Sequence, residues 1–330
     1  MKLTSILAAA AIALSGQAAL ADDYPERPIT HVFPWSAAGP AYAASQAVAD
    51  RMSEILNVQI GMQARTGAGG MNAFRQAMAE PADGYTVIDG WVAPLVIAPL
   101  AGRSDFTLDD FIPLNAVLAS PFAIMVRADD DRFPDFESLA AFIAENPGQI
   151  RYSGGGDLGL PHQVTALVFQ GQNLVARHVP YQGMSDAVRD LRSGILDFIV
   201  ANAGQYRANT GEVRAIAAIS DDPAVSDALY DGAPLITDIF DNVGPRDLSL
   251  VGWTWWLVKA GTPMDRVEVL RAAQAEAMAD PEVQATLTQL GFTMLDFGHD
   301  QYESIVSQTR TDLAAAVEAI EWEREQLAAQ

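Results

Sequence analysis

The chain has 330 residues, with 42 acidic against 20 basic side chains, four histidines, no cysteine and a formal net charge of −22. That acidic surplus repels nucleic-acid phosphates and anionic lipid, so neither is expected as a partner. The absence of cysteine excludes thiol catalysis and cysteine-ligated metals, and the length suffices for two domains with real cores.

Residues 1–21, "MKLTSILAAAAIALSGQAALA", carry one positive charge at Lys2, an apolar run from Ile6 to Leu14 and a small-x-small finish at Ala19-Leu20-Ala21. This is the pattern of a secretory signal peptide cut after Ala21, with a retained N-terminal anchor as the competing reading. The apolar run is too short for a good membrane span. An exported, soluble protein is expected.

Strand-like and helix-length patterns then alternate. "ITHVFPW" leads into "AYAASQAVADRMSEILN", "NVQIGMQA" leads through Gly67–Gly70 into "MNAFRQAMAE", and "GYTVIDGW" follows. This rhythm predicts parallel α/β layers. After an extended apolar stretch at 111–130 it resumes with "IRYSGG" and its helix, "LVARHVPYQG", "MSDAVRDLRSGI", "LDFIVANAG" and "VRAIAAIS". A second extended run, "LSLVGWTWWLVKAGTP" at 248–263, precedes two amphipathic helices, "MDRVEVLRAAQAEAMAD" and "DQYESIVSQTRTDLAAAVEAIEWEREQL". The two extended segments read as crossovers between two α/β lobes, 22–120 with 250–330 and 121–249, which leaves a hinged central cleft.

Metal-site spacings are missing: His31, His162, His178 and His299 lie far apart, with no H-x-x-x-H or H-E-x-x-H pattern, and read as structural or surface residues. Neither a G-x-S-x-G elbow nor a G-x-x-x-x-G-K-[ST] loop is present. Gly154 to Gly159 satisfies G-x-G-x-x-G, but the first acidic residue after Asp157 is Asp186, which is too distant for the ribose partner of a dinucleotide fold. The physical content of those glycines remains: exposed amides beside a helix start, with Pro161 in its first turn, suit an anion such as a carboxylate. The alternative is a tight turn that serves only the chain path. A similar strand-to-helix junction, "VFPWSAAGPAYAAS", places Ser36, Ala37, Ala38 and Gly39 before a helix that starts near Pro40. Two such helix starts facing one cleft would hold an anionic solute by main-chain hydrogen bonds.

"YPERPITHVFPWSAAG", "ARTGAGG" followed by "ADGYTV", "YSGGGDLGLPH", "HVPYQGMSDAVRDLRSGILDF" and "VKAGTP" occur in an order and spacing that resembles the periplasmic receptors of tripartite tricarboxylate transporters, the Bug proteins, over essentially the whole mature chain. The resemblance implies a two-lobed, class II-like periplasmic binding protein, without enzymatic activity or cofactor. Such a receptor closes on a small carboxylate and delivers it to membrane permease subunits; a monomer is the simplest expectation. The candidate ligand residues are Trp35, Ser36, Ala38, Gly39 and Tyr42 in the first loop, Trp91, then Ser153, Gly154, Gly155 and Gly156 in the second; Tyr181 joins them by resemblance, with packing of its loop as the alternative, and Asn202 by its place at the end of the strand-like "LDFIVAN", with a local turn role as the alternative. Competing readings are an exported two-domain enzyme with a nucleotide-type cofactor and a periplasmic sensor for a signalling partner.

Departures from the family pattern fall in both loops. Where relatives read P-F-x-P-G-G-x-x-D, this chain has Trp35, Ala37, Ala38 and Tyr42 at the aromatic, second proline, first glycine and aspartate positions. Where relatives often carry serines, it has Gly154, Gly155 and Gly159. Losing an acid and gaining a phenol directs the expectation toward a carboxylate with an apolar or aromatic body, with Trp35, Tyr42, Trp91, Trp253, Trp255 and Trp256 near the cleft. Against this, alternate residues of "WTWW" must face opposite sides of a strand, so some of these rings belong to a core. Asp157 would oppose an anion if it pointed inward, and is expected to face solvent or tie down its loop. His162, in the first turn of its helix, is expected to cap or pack.

Overall fold

The computed structural model describes residues 24–157, 159–240 and 252–330, so the leader at 1–21 lies outside the described residues. The chain begins with β1 (Ile29–Phe33), α1 (Pro40–Leu56), β2 (Ile60–Ala64), α2 (Met71–Ala79), β3 (Thr86–Trp91), α3 (Ala98–Leu100) and β4 (Phe111–Ala119). It continues through β5 (Phe122–Arg127), α4 (Phe136–Glu145), β6 (Arg151–Ser153), α5 (Leu160–Gly171), β7 (Arg177–His178), α6 (Met184–Arg192), β8 (Phe198–Asn202), α7 (Ala203–Ala208), β9 (Val213–Ile219), α8 (Pro223–Leu229) and α9 (Ile236–Ile239). β10 (Trp253–Lys259), α10 (Met264–Ala279), α11 (Pro281–Gln289), β11 (Thr293–Met294), α12 (Tyr302–Asp312) and α13 (Ala314–Ala328) complete it.

These strands form a six-stranded sheet in the order β11-β4-β10-β3-β1-β2 and a five-stranded sheet in the order β7-β6-β8-β5-β9. β1 runs parallel to β2 and β3, and β6 parallel to β7 and β8, whereas β10 is antiparallel to β3 and β4, and β5 to β8 and β9. β1 is buried at four of its five positions because helices cover both faces of its sheet. α1 starts at Pro40, where the missing amide costs no helical bond, and ends on Asn57 in the left-handed region at φ 52°. α2 has no base in its last turn. Lys259, the single lysine after Lys2, supplies one from β10: its Nζ donates to the carbonyls of Met78 at 2.7 Å and Glu80 at 2.9 Å.

The apolar stretch 111–130 divides into β4 of the first sheet and β5 of the second, with Ser120 and Pro121 between them. The other passage runs from β9 to β10; residues 248–251 of the expected extended run lie outside the described residues. β10 lies inside its sheet, between β4 and β3. Its alternation puts Trp253 and Trp255 into the core on one face and Trp256 into the core on the other, each no more than 1% exposed. These three rings are therefore core residues and not cleft walls, because an interior strand covered on both sides has no free face.

The C-terminal pattern breaks at Leu313 into α12 and α13, and α13 lies against α5. There the buried Glu323 accepts from the Tyr152 hydroxyl at 3.1 Å and the His178 amide at 3.2 Å, and its carboxyl oxygen lies 3.2 Å from His162 Nε2. The imidazoles of His162 and His178 stack with centroids 3.6 Å apart. The last helix thus departs from the assignment of 250–330 to the first lobe: a carboxyl group with partners on β6, α5 and β7 fixes it to the second sheet's layer. α11 also goes beyond the two helices expected here. Asp280 ends α10 and caps α11 by accepting from the Glu282 amide at 2.8 Å, with Pro281 in the first turn.

Burial, reinforced by the charges of His162 and Arg324, pulls the His178 imidazole from its ordinary 6.5 down to about 2, against a smaller opposing effect of a hydrogen bond to the Gly155 backbone. Folded protein holds His178 neutral while unfolded chain takes up a proton below about pH 6.5. This contribution to stability is complete above that pH and is lost as pH falls toward 2, at up to about 1.4 kcal/mol per pH unit. The fall in urea midpoint below pH 6.5 is expected to be shallower in His178→Gln than in the wild type; parallel slopes would refute the assignment.

Candidate ligand-binding cavity

Between the two sheets lies a cavity of about 720 Å³, walled by the loops that leave the carboxyl ends of β1, β3, β6 and β8 and by the β4–β5 passage. In α/β proteins the strand ends are where ligand-binding loops converge. Of the twelve residues expected from sequence, Trp35, Ser36, Ala38, Gly39, Trp91, Gly154, Gly155, Gly156, Tyr181 and Asn202 line it. Tyr42 and Ser153 are not among the lining residues. Tyr42 sits in the first turn of α1, its ring edge-on to Phe33 with centroids 5.3 Å apart. Ser153 is fully buried, and its hydroxyl accepts from the Gly155 amide at 3.2 Å.

The glycine loop has a local reason for each position. A Cβ on Gly154 would stand 2.4 Å from the His162 nitrogen, and one on Gly159 would stand 2.9 Å from the carbonyl oxygens of Gly154 and Gly156. Gly155 has φ +85°, the left-handed region. What comes close to this backbone is thus its own helix start, so the tight-turn reading accounts for Gly154, Gly155 and Gly159. Gly156 is different: a Cβ there would meet only the Tyr181 carbonyl at 3.6 Å, an ordinary contact.

The loops that lead into α1 and α5 both line this space. The amides of Ser36, Gly39 and Gly156 have no acceptor among the described residues. The dipoles of α1 and α5 each favour an anion there by about 0.3–1 kcal/mol. The walls approach closely: a Cβ on Gly69 would stand 3.5 Å from the Asp157 carbonyl, and one on Gly183 would stand 3.6 Å from the Ser36 Cβ. Asn202 caps α7 by accepting from the Gln205 amide at 3.1 Å, which leaves its side-chain NH2 available to the cavity. The Tyr181 hydroxyl donates to Asp190 at 2.7 Å, so this residue offers the cavity its ring and not its hydroxyl. Burial and the bond to Asp190 push that phenol up to about 12.

Several wall residues escape sequence reasoning. Ser120 is fully buried with its hydroxyl unpartnered among the described residues, and so is the buried indole nitrogen of Trp91. Phe122, Gln205, Arg75 and Arg103 also line the space. "LASPF" gave Ser120 and Phe122 no signal beyond an extended run, and Arg75 and Arg103 sit in ordinary polar contexts. Asp157 ties down its loop as expected, through Arg103 at 3.2 Å and Arg324 at 3.1 Å. Trp35 and Trp91, with centroids 6.2 Å apart and near-perpendicular planes, are what remains of the expected aromatic wall.

Two α/β sheets joined by crossovers, with helix starts from both presenting unclaimed amides to one intervening cavity, define a solute-binding receptor of the two-lobed kind. The chain belongs to the family described as "Tripartite tricarboxylate transporter family receptor", which it matches over residues 44–321. It is 30% identical over 292 residues to a UPF0065 protein from the tcbD-tcbE intergenic region of Pseudomonas sp. (strain P51), covering 87% of this chain and 85% of that one. Its fold is that of MatC from Rhodopseudomonas palustris, solved with bound malate (TM-score 0.77, 20% identity, 89% of this chain and 100% of that one). An R. palustris protein solved with adipate is equally similar in fold (TM-score 0.78, 21% identity, 90% of this chain and 98% of that one). Membership makes the protein a transport receptor and not an enzyme, and the nucleotide-cofactor reading falls with it.

Proposed function

We propose that this protein is a periplasmic receptor, freed from its leader after Ala21, that captures a small carboxylate in the cavity between its sheets and delivers it as a monomer to the permease subunits of a tripartite transporter. The observation that carries this reading is the set of unclaimed amides at Ser36, Gly39 and Gly156, from two opposed helix starts that share one cavity. One carboxylate of the ligand accepts from these amides, while Asn202 and Ser120 supply side-chain donors. Trp35, Trp91 and Phe122 offer the ligand body an apolar surface, so the expected solute carries an apolar or aromatic body rather than further hydroxyl groups. Malate and adipate in the R. palustris proteins support the carboxylate class.

Mass spectrometry of solute released from natively purified protein identifies the ligand directly. Calorimetry with benzoate-type acids, succinate, glutamate and citrate then ranks the classes. Tightest binding is expected for an acid with an apolar or aromatic body, and the bound acid stabilises the fold by mass action without being converted. A clear preference for citrate would overturn the apolar-body reading, and turnover of any bound acid would overturn the receptor reading.

A further inference from the structure

Among the described residues, two cationic side chains line the cavity, and they are committed differently. Arg75 donates through Nε to Asp105 at 2.9 Å, a residue outside the wall. Arg103 reaches across the cleft to the glycine loop, where one nitrogen of its guanidinium contacts Asp157 Oδ2 at 3.2 Å. Both partners of that bond line the cavity and are about half exposed, 46% and 49%. Asp157 also holds Arg324 of α13 through its other oxygen at 3.1 Å.

We propose that Arg103 is the receptor for a second carboxylate of the ligand, and that Asp157 is a built-in anion which the ligand displaces. The proposal rests on the reading of the cavity as a carboxylate site. Asp157 adjoins Gly156, so Arg103 stands at the same end of the cavity as the Gly156 amide, where a second acid group of a bound solute can reach it. The protein's own carboxylate takes only one guanidinium nitrogen, whereas a free carboxylate can take two in the fork geometry that arginine prefers. An exposed pair of this kind is weak and exchanges readily. The exchange leaves no charge bare: Asp157 keeps Arg324, and Arg103 gains the ligand.

Calorimetry on the full mature chain tests this with matched pairs: succinate and butyrate, adipate and hexanoate, terephthalate and benzoate. In wild type at least one dianion is expected to bind tenfold or more tightly than its monoanion. Arg103→Gln is expected to bring that ratio to within about threefold of unity, and Arg103→Lys to keep part of it, since the charge remains and the fork is lost. Asp157→Asn is expected to raise dianion affinity a few-fold by removing the internal competitor. If Arg103→Gln weakens both members of each pair alike, the residue is a latch between the walls and the proposal fails. It fails equally if the ratio is unmoved, if wild type does not distinguish the pairs, or if Asp157→Asn lowers dianion affinity. If wild type binds none of the six acids, the carboxylate reading itself fails, and this proposal with it.

Discussion

Gly154→Ala is expected to destabilise the protein by about 1–3 kcal/mol, the range for forcing an extra methyl into packed structure, and to weaken ligand binding at least tenfold. The new methyl would lie 2.4 Å from the His162 nitrogen, 2.7 Å from the His162 Cα and 2.9 Å from the Pro161 carbonyl carbon. All three are backbone atoms at the start of α5, so no rotamer change relieves the contact. Either the loop or the helix start must move, and each carries part of the proposed amide grip. Gly156→Ala is the matched comparison, since its Cβ meets the Tyr181 carbonyl at 3.6 Å and its unfolding midpoint should stay near wild type. Urea unfolding decides the matter: a Gly154→Ala protein within about 0.5 kcal/mol of wild type, the usual span of a neutral surface change, would refute the packing account.

Glu323→Ala is expected to cost about 3–5 kcal/mol, because it leaves buried hydrogen-bonding groups on three different elements without their partner. The Tyr152 hydroxyl on β6, His162 Nε2 on α5 and the His178 amide on β7 all meet this one carboxyl group. Glu323 is 6% exposed, and Tyr152 is fully buried, so water does not readily replace the lost bonds. Burial and the neighbouring Glu323 charge push the Tyr152 phenol well above its ordinary range, which keeps it a donor at every working pH. Glu323→Gln, which retains an acceptor oxygen and the volume, should recover part of the loss. The effect extends to the cavity, because His178 bonds the Gly155 backbone and Arg324 bonds Asp157. Hydrogen exchange should therefore quicken both in α13 and around Gly154–Gly156 in Glu323→Ala. Faster exchange confined to α13 would show that the helix and the glycine loop are uncoupled.

The sequence by itself determined the alternation of strands and helices, the extended passage at 111–130 between the sheets, and the two glycine-bearing and small-residue junctions that became cavity walls. Each of these is written in local pattern: a period of two or of 3.6, a proline in a first turn, a glycine where a side chain would collide. Tertiary structure alone decided which tryptophans belong to the core, since that depends on β10 being an interior strand between β3 and β4. It decided where α13 docks, because Glu323 meets Tyr152, His162 and His178 from 145 to 171 positions away. It also decided that Ser120 and Arg103 share the wall with Gly156, for proximity across a cleft is set by how two sheets pack and leaves no period in the chain.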